Sequence, residues 1–309
     1  MSNQAEQNEA VQPRLYFHYA GKTDTGIVRD HNEDAFILPI ETGLSNLETQ
    51  GYLYIVADGM GGHQKGEVAS NTTIDAVSAA YYAKIQPLPT NDPEKTIINT
   101  LADAIQEANF KVLEATQGGG TTIVAAVLYD NLLVIMNVGD SRAYLLRHGE
   151  LQLLSRDHSL VSRLVEMGRI SPEEALTHPR RNVLYQALGQ GGDLEIHTAI
   201  VEIELDDIII LCSDGLWGEI SESAIQDVLL EVSNPAAALQ RLIELANESG
   251  GLDNITAVII TVSDQEPPPD GYSEYRSPTQ RTAVDDTRPS IAVMTKDDDD
   301  DALSEWQDE

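Results

Sequence analysis

The stretch Tyr52-Leu53-Tyr54-Ile55-Val56-Ala57-Asp58-Gly59-Met60-Gly61-Gly62-His63 decides how this chain folds. Leu53 to Ala57 is an apolar run of strand length and predicts a buried strand. It ends in one carboxylate, Asp58, followed by residues without side chains. Backbone and carboxylate can therefore approach an ion or ligand together. Asp-Gly is also an ordinary turn signal. Recurrence favours the functional reading. The apolar run from Ile208 again ends in Asp214-Gly215, and Asp253-Asn254 stands immediately before the run Ile255 to Val262. Asn32-Glu33-Asp34 precedes Ala35 to Leu38, and Leu132 to Val138 ends in Gly139-Asp140-Ser141-Arg142.

A chain of 309 residues can bury the core of one large domain, or of two at most. No apolar run reaches the roughly 18 residues needed to span a bilayer. Residues 1–13 are polar and lack the apolar centre of a signal peptide. A single cysteine, Cys212, excludes an internal disulfide framework. A cytoplasmic monomer is the expectation. The net charge of −32 argues against nucleic acid or an anionic membrane surface as partner. From Asp264 onward there are 14 acids and 4 bases, net −10; the remainder holds 37 acids and 15 bases, net −22. The body is thus acidic in its own right.

Read in order, residues 1–13 are expected to be disordered, 14–263 to form the folded domain, and 264–309 to be a disordered acidic tail. Strands are expected at 15–20, 35–38, 52–57, 123–128, 132–138, 143–146, 151–154, 195–203, 208–211 and 255–262. Residues 120–154 read as one antiparallel meander. Helices are expected at 66–83, at 93–115 behind the cap and proline Asp92-Pro93, at 221–232 and at 235–247. Residues 156–190 are rich in arginine (Arg156, Arg163, Arg169, Arg180, Arg181) and read as three short helical pieces laid over a surface. Ser171-Pro172-Glu173-Glu174 is a complete helix start. Strands adjacent in sequence argue an antiparallel α+β layered fold.

Five aspartates at strand ends or in adjoining loops form a metal-site pattern. Carboxylates suit hard ions such as magnesium and manganese, and zinc-type His/Cys spacing is missing. Two such ions roughly 3.5–4 Å apart can activate a water and clamp the oxygens of an in-line displacement. Arg29, on the loop before Asp34, can grip a phosphate with two parallel hydrogen bonds. Other chemistries fail simple tests. Cys212 has Gly218 where a cysteine phosphatase needs arginine, and there is neither a Gly-x-Ser-x-Gly elbow nor a Walker loop.

Six motifs then add up. Arg29-x-x-Asn32-Glu33-Asp34, Val56-Ala57-Asp58-Gly59-Met60-Gly61-Gly62, Gly120-Thr121-Thr122, Val138-Gly139-Asp140-Ser141-Arg142, Ser213-Asp214-Gly215-Leu216-Trp217 and Asp253-Asn254-Ile255-Thr256 occur in this order. Together they resemble the metal-dependent serine/threonine protein phosphatases of type 2C, especially the compact bacterial members. The resemblance covers about residues 15–262. It implies a four-layer sandwich of two antiparallel β-sheets flanked by pairs of α-helices, with two core ions between the sheets. It implies that Asp58 bridges both ions, that the Gly59 carbonyl joins the second, and that Asp214 and Asp253 complete the shell of the first. Asp34 and Glu33 would act on the second ion, partly through water. Asp140 would help hold a third, weaker ion. Arg29 would bind the substrate phosphate, Asn254 would orient Asp253, and residues 156–190 would be a flap. A metal-bridging hydroxide would attack phosphorus directly, with phosphorylated proteins as substrates and a serine/threonine kinase or its targets as partners in signal transduction. The chain departs from some members in two places. Met60 stands where they carry a histidine that serves as candidate proton donor, and the nearest one here is His63. Gly218 stands where some carry aspartate, with Glu219 next to it. The competing readings are a catalytically inactive binding module of the same fold and a two-metal hydrolase acting on nucleotides or nucleic acid.

Overall fold

The computed structural model describes residues 14–39, 47–62, 64–85, 87–89 and 91–266. The expected disorder at 1–13, the tail from 267 onward and His63 lie outside the described residues.

Two antiparallel sheets stack face to face. One holds β1 (Tyr16–Asp24), β11 (Ile255–Ser263), β10 (Ile208–Cys212), β7 (Arg142–Arg147) and β8 (Glu150–Leu153), in that spatial order. The other runs β2 (Asp34–Ile37), β3 (Tyr52–Met60), β5 (Ile123–Tyr129), β6 (Leu132–Val138) and β9 (His197–Glu202), with the short β4 (Gly120–Thr121) paired to the end of β3. Helices α2 (Gln64–Lys84) and α3 (Pro93–Thr116) cover the outer face of the second sheet, and α6 (Asp214–Trp217), α7 (Glu222–Glu231) and α8 (Pro235–Ser249) cover that of the first. This is the expected α+β sandwich.

Strand β3 explains why the central stretch reads as a continuous apolar run. Side chains alternate across a strand. Leu53, Ile55 and Ala57 pack under α2 and α3, while Tyr54 and Val56 pack against the opposite sheet. Both faces are buried, so no polar alternation survives. Each fully buried Leu or Ile contributes about 1.5–3 kcal/mol of transfer free energy. Helix α3 starts as its sequence dictates: Asp92 caps it by accepting from the Lys95 N–H at 3.3 Å, and Pro93 occupies the first turn.

Two local expectations are corrected. Residues 120–154 are not one meander. They are two hairpins in different sheets, β5–β6 in one and β7–β8 in the other, because Gly139-Asp140 turns the chain across the sandwich. Segment 156–190 holds two helices, α4 (Leu160–Glu166) and α5 (Pro172–Leu176), and turns where a third was expected. The capping box of Ser171 and Glu174 is formed. Unforeseen were β4, α6 and α1 (Leu47–Gln50), each four residues or fewer and too short for a periodic signal.

Candidate metal and phosphate site

The site is built by strand parity. Tyr54 and Val56 face the gap between the sheets, so Asp58, two residues further on, faces it as well. Phe36 faces the same gap, which places Asp34 there, and β2 pairs with β3 so that Asp34 lies directly opposite Asp58. Directly opposed side chains have Cβ atoms about 4.5–5.5 Å apart. Two carboxyl groups are thus held side by side where two sheets come together.

The other strands extend the same gap. Leu211 faces it, and so does Ser213, whose hydroxyl donates to Asp34 Oδ2 at 2.8 Å. Val258 faces it, followed outward by Thr256 and Asn254. Asn254 fixes the loops: its Nδ2 donates to the carbonyls of Thr25 and His31, both at 2.9 Å, and its Oδ1 accepts the Glu33 N–H at 2.8 Å. Asp214 opens α6 and Asp253 immediately precedes Asn254. Thr122 accepts the Asp58 N–H at 3.0 Å and shares a 2.7 Å hydrogen bond with Ser141, next to Asp140. Thr121 donates to the Asp58 carbonyl at 2.8 Å. The Trp217 indole donates to the Asp140 carbonyl at 3.1 Å, with the Arg142 guanidinium 3.6 Å above its ring. Gly59 is required by close approach, since a Cβ there would collide with the Gly66 carbonyl in the first turn of α2. Gly66 in turn leaves room for the Glu33 carboxylate.

The electrostatics follow from this packing. Burial, with repulsion from Asp214 and Asp253, pushes Asp34 up to about 8 against the hydrogen bonds from Thr256 and Ser213. Burial and then Asp34, Asp214 and Asp140 push Asp58 well above the carboxylate range. Asp140 is raised by burial and by Asp214. Asp214 is pushed up to about 6 by burial and by Asp253. Four carboxyl groups on separate elements are each made hard to ionise chiefly by burial, and then by neighbouring carboxyl groups. Beside them Arg29 donates to Asp253 Oδ2 at 2.6 Å, and the Arg142 guanidinium opposes the rise at Asp140.

These residues fit a hard divalent cation. The donors are all oxygen, and Asp214 Oδ1 is buried with no hydrogen-bond partner. A buried carboxylate oxygen without a donor is costly unless a cation meets it. Among the described residues no three acidic, His or Cys side chains stand close enough together to hold a metal ion as they are. Two of the acids are engaged by internal donors: Arg29 donates to Asp253 and Ser213 donates to Asp34. The sequence-chosen Arg29, Glu33, Asp34, Asp58, Gly59, Asp140, Asp214, Asp253 and Asn254 converge on this end of the sandwich, while His63 lies outside the described residues. Thr121, Thr122, Ser213 and Trp217 were quoted in motifs but given no task. Strand parity continued past the strand ends would have found Thr122 and Ser213. Cys212 is a buried strand residue whose thiol is pushed up to about 12 by burial.

Segment 156–190 is tied to the same loops. Thr121 and Leu188 exchange backbone hydrogen bonds at 2.9 and 3.1 Å, and His158 Nδ1 accepts the Gly139 N–H at 3.3 Å. Arg156 pairs with Glu166 through two hydrogen bonds, and Arg163 lies over the Tyr185 ring.

The comparisons with known proteins agree with this geometry. A family model described as protein phosphatase 2C matches residues 21–183. The chain is 38% identical over 249 residues to the serine/threonine phosphatase stp of Listeria welshimeri, covering 79% of this chain and 95% of that protein. The solved structure of the S. agalactiae serine/threonine phosphatase superposes with a TM-score of 0.72 at 34% identity, over 79% of this chain and 99% of that one. The catalytic domain of the serine/threonine protein phosphatase PstP, solved in complex with 2 manganese ions, matches with a TM-score of 0.66 at 34% identity, over 81% of this chain and 99% of that one. On the fold, the motifs and these likenesses, the chain belongs to the protein phosphatase 2C family.

Proposed function

We propose that this chain is a divalent-cation-dependent protein phosphatase that hydrolyses phosphoserine and phosphothreonine in proteins. The observation that carries this is the set Asp34, Asp58, Asp140 and Asp214, all raised by burial and by neighbouring carboxyl groups, with one buried oxygen of Asp214 lacking any donor. Such a set is poorly suited to stand alone and well suited to a cation. A bound divalent ion supplies positive charge that lowers the pKa of water and offsets charge on the phosphoryl oxygens.

The chain's own residues do the rest. Asp58, central among the acids, would bridge two core ions of manganese or magnesium. Asp214 and Asp253 would serve the first, and Asp34, Glu33 and the Gly59 carbonyl the second. Asp140 would serve a third, weaker position. Arg29, half exposed, would release Asp253 and take the phosphoryl oxygens, holding phosphorus in line for attack. Asn254 would keep the Glu33 and Asp253 loops in register. Residues 14–263 would form the catalytic domain, with 156–190 as its flap. Phosphorylated proteins are the substrates; a kinase or its targets as partners, a monomeric state and a cytoplasmic setting belong to the same proposal. No helix among the described residues is long and apolar enough to cross a membrane. No observation favours the inactive module or a nucleic-acid substrate.

The test is phosphate release from a phosphothreonine peptide by the purified chain. Turnover that needs manganese or magnesium and stops with chelator supports the proposal. Turnover indifferent to chelator overturns it.

A further inference from the structure

Three large apolar side chains stand in solvent beside the Arg29–Asp253 pair: Ile27, Val28 and Leu252, exposed by 69%, 60% and 58%. They are not scattered. The N–H groups of Ile27 and Val28 both donate to the Gly251 carbonyl, at 2.8 and 3.1 Å. Gly251 has φ +55°, and a Cβ there would meet Ile27 Cγ1 at 2.8 Å and the Ile27 nitrogen at 2.9 Å. Ile27 therefore lies on bare backbone that only glycine provides. The Leu252 side chain lies over the neighbouring Gly250, where a Cβ would meet its Cγ at 3.6 Å and Glu219 Oε2 at 3.2 Å. None of the three belongs to a core cluster, so folding does not account for them. Two loops tied to each other thus carry exposed apolar side chains on the same side of the Arg29–Asp253 pair in sequence, and grouped exposed apolar side chains mark an interaction surface.

We propose that Ile27, Val28 and Leu252 form a shelf that takes an apolar side chain of the substrate polypeptide next to the phosphoresidue. This rests on the phosphatase reading, because the occupant is fixed by continuity with the phosphate grip. Val28 adjoins Arg29 and Leu252 adjoins Asp253. An extended peptide advances about 3.3 Å per residue, so the occupant is a side chain within about three residues of the phosphoresidue. The shelf sets which phosphosites are turned over quickly and leaves the chemistry untouched.

The test compares two phosphothreonine peptides, one with leucine and one with serine flanking the phosphoresidue, and p-nitrophenyl phosphate as a substrate too small to reach the shelf. The wild type is expected to favour the leucine peptide by about tenfold in kcat/KM, mainly through KM. Ile27→Ser combined with Leu252→Ser is expected to erase that preference and to keep p-nitrophenyl phosphate turnover. Should the double variant lose that turnover, Leu252→Ser alone is expected to shrink the preference with p-nitrophenyl phosphate turnover retained. Equal rates on both peptides in the wild type, or a preference that survives the substitutions, would overturn the proposal. So would a dimer in sedimentation equilibrium that dissociates in the double variant, since a second copy would then own the shelf. Failure of the wild type on every substrate with every metal would bring down the phosphatase reading, and the shelf with it.

Discussion

Arg29 donates to Asp253 Oδ2 at 2.6 Å, so the residue suited to hold a phosphate and a residue suited to hold a cation neutralise each other. The pair is half exposed and its net worth as a salt bridge is small. A cation near Asp253 and a phosphate near Arg29 each remove the reason for the pairing. Binding of one therefore frees the partner of the other.

Replacing Arg29 by alanine should raise KM for a phosphopeptide by about 10- to 100-fold, the scale of charge-assisted hydrogen bonds to phosphate. Metal affinity should not weaken, because Asp253 loses a competitor. Steady-state kinetics beside manganese calorimetry would check both halves. Weaker metal binding in Arg29→Ala would contradict this account of the pair.

Asp214→Asn should split stability from activity. The buried oxygen without a donor and the repulsion from Asp253 both make the ionised Asp214 unfavourable in the metal-free fold. The variant should lose several orders of magnitude in kcat. With chelator at pH 8 it should be more stable than the wild type, by about 1–2 kcal/mol. Denaturant melts with chelator at that pH measure this directly.

The pH dependence of the metal-free protein has a definite sign. Asp34 is pushed up to about 8 and Asp214 to about 6, against about 3.9 for an unfolded aspartate. Between those values the folded state binds more protons than the unfolded one, so stability falls as pH rises from about 4 to about 8. The midpoint of thermal unfolding with chelator should drop by roughly 5 °C or more across that window, and a divalent ion should restore it at the alkaline end. A chelated protein that gains stability over that range would show that the acids are not crowded as described.

Thr122→Val removes the acceptor for the Asp58 N–H and the partner of Ser141 while keeping the side chain's shape. An unpaired buried donor costs about 1–3 kcal/mol. Lower stability should come with weaker binding of the most loosely held ion, because the link from Asp58 to the Asp140 loop is cut. Manganese titration followed by calorimetry would detect the change.

Much of this site was legible before any coordinates. Each candidate acid ends a strand or precedes one, and a strand tip is readable because the apolar run stops there. Asp58 is the clearest case: the buried faces of β3 force a continuous apolar stretch, and the glycines after it allow α2 to press close. The family order of the six motifs then supplied the fold. What stayed hidden is what depends on pairing across the sandwich. Nothing local says that Asp34 lies opposite Asp58, that Ser213 reaches Asp34, or that Trp217 holds the Asp140 carbonyl. The meander reading of 120–154 failed for the same reason, since the choice of sheet is made by distant partners. The Arg29–Asp253 pair joins residues 224 positions apart and has no local signal at all.

The most direct test of the central claim is manganese titration of the chelator-treated protein by calorimetry, beside Asp58→Asn, with phosphate release from a phosphothreonine peptide measured on the same samples. The account predicts at least two ions bound by the wild type, activity that rises with their binding, and loss of both in the variant. Activity without bound metal, or an Asp58→Asn protein that binds and turns over as the wild type does, would contradict it.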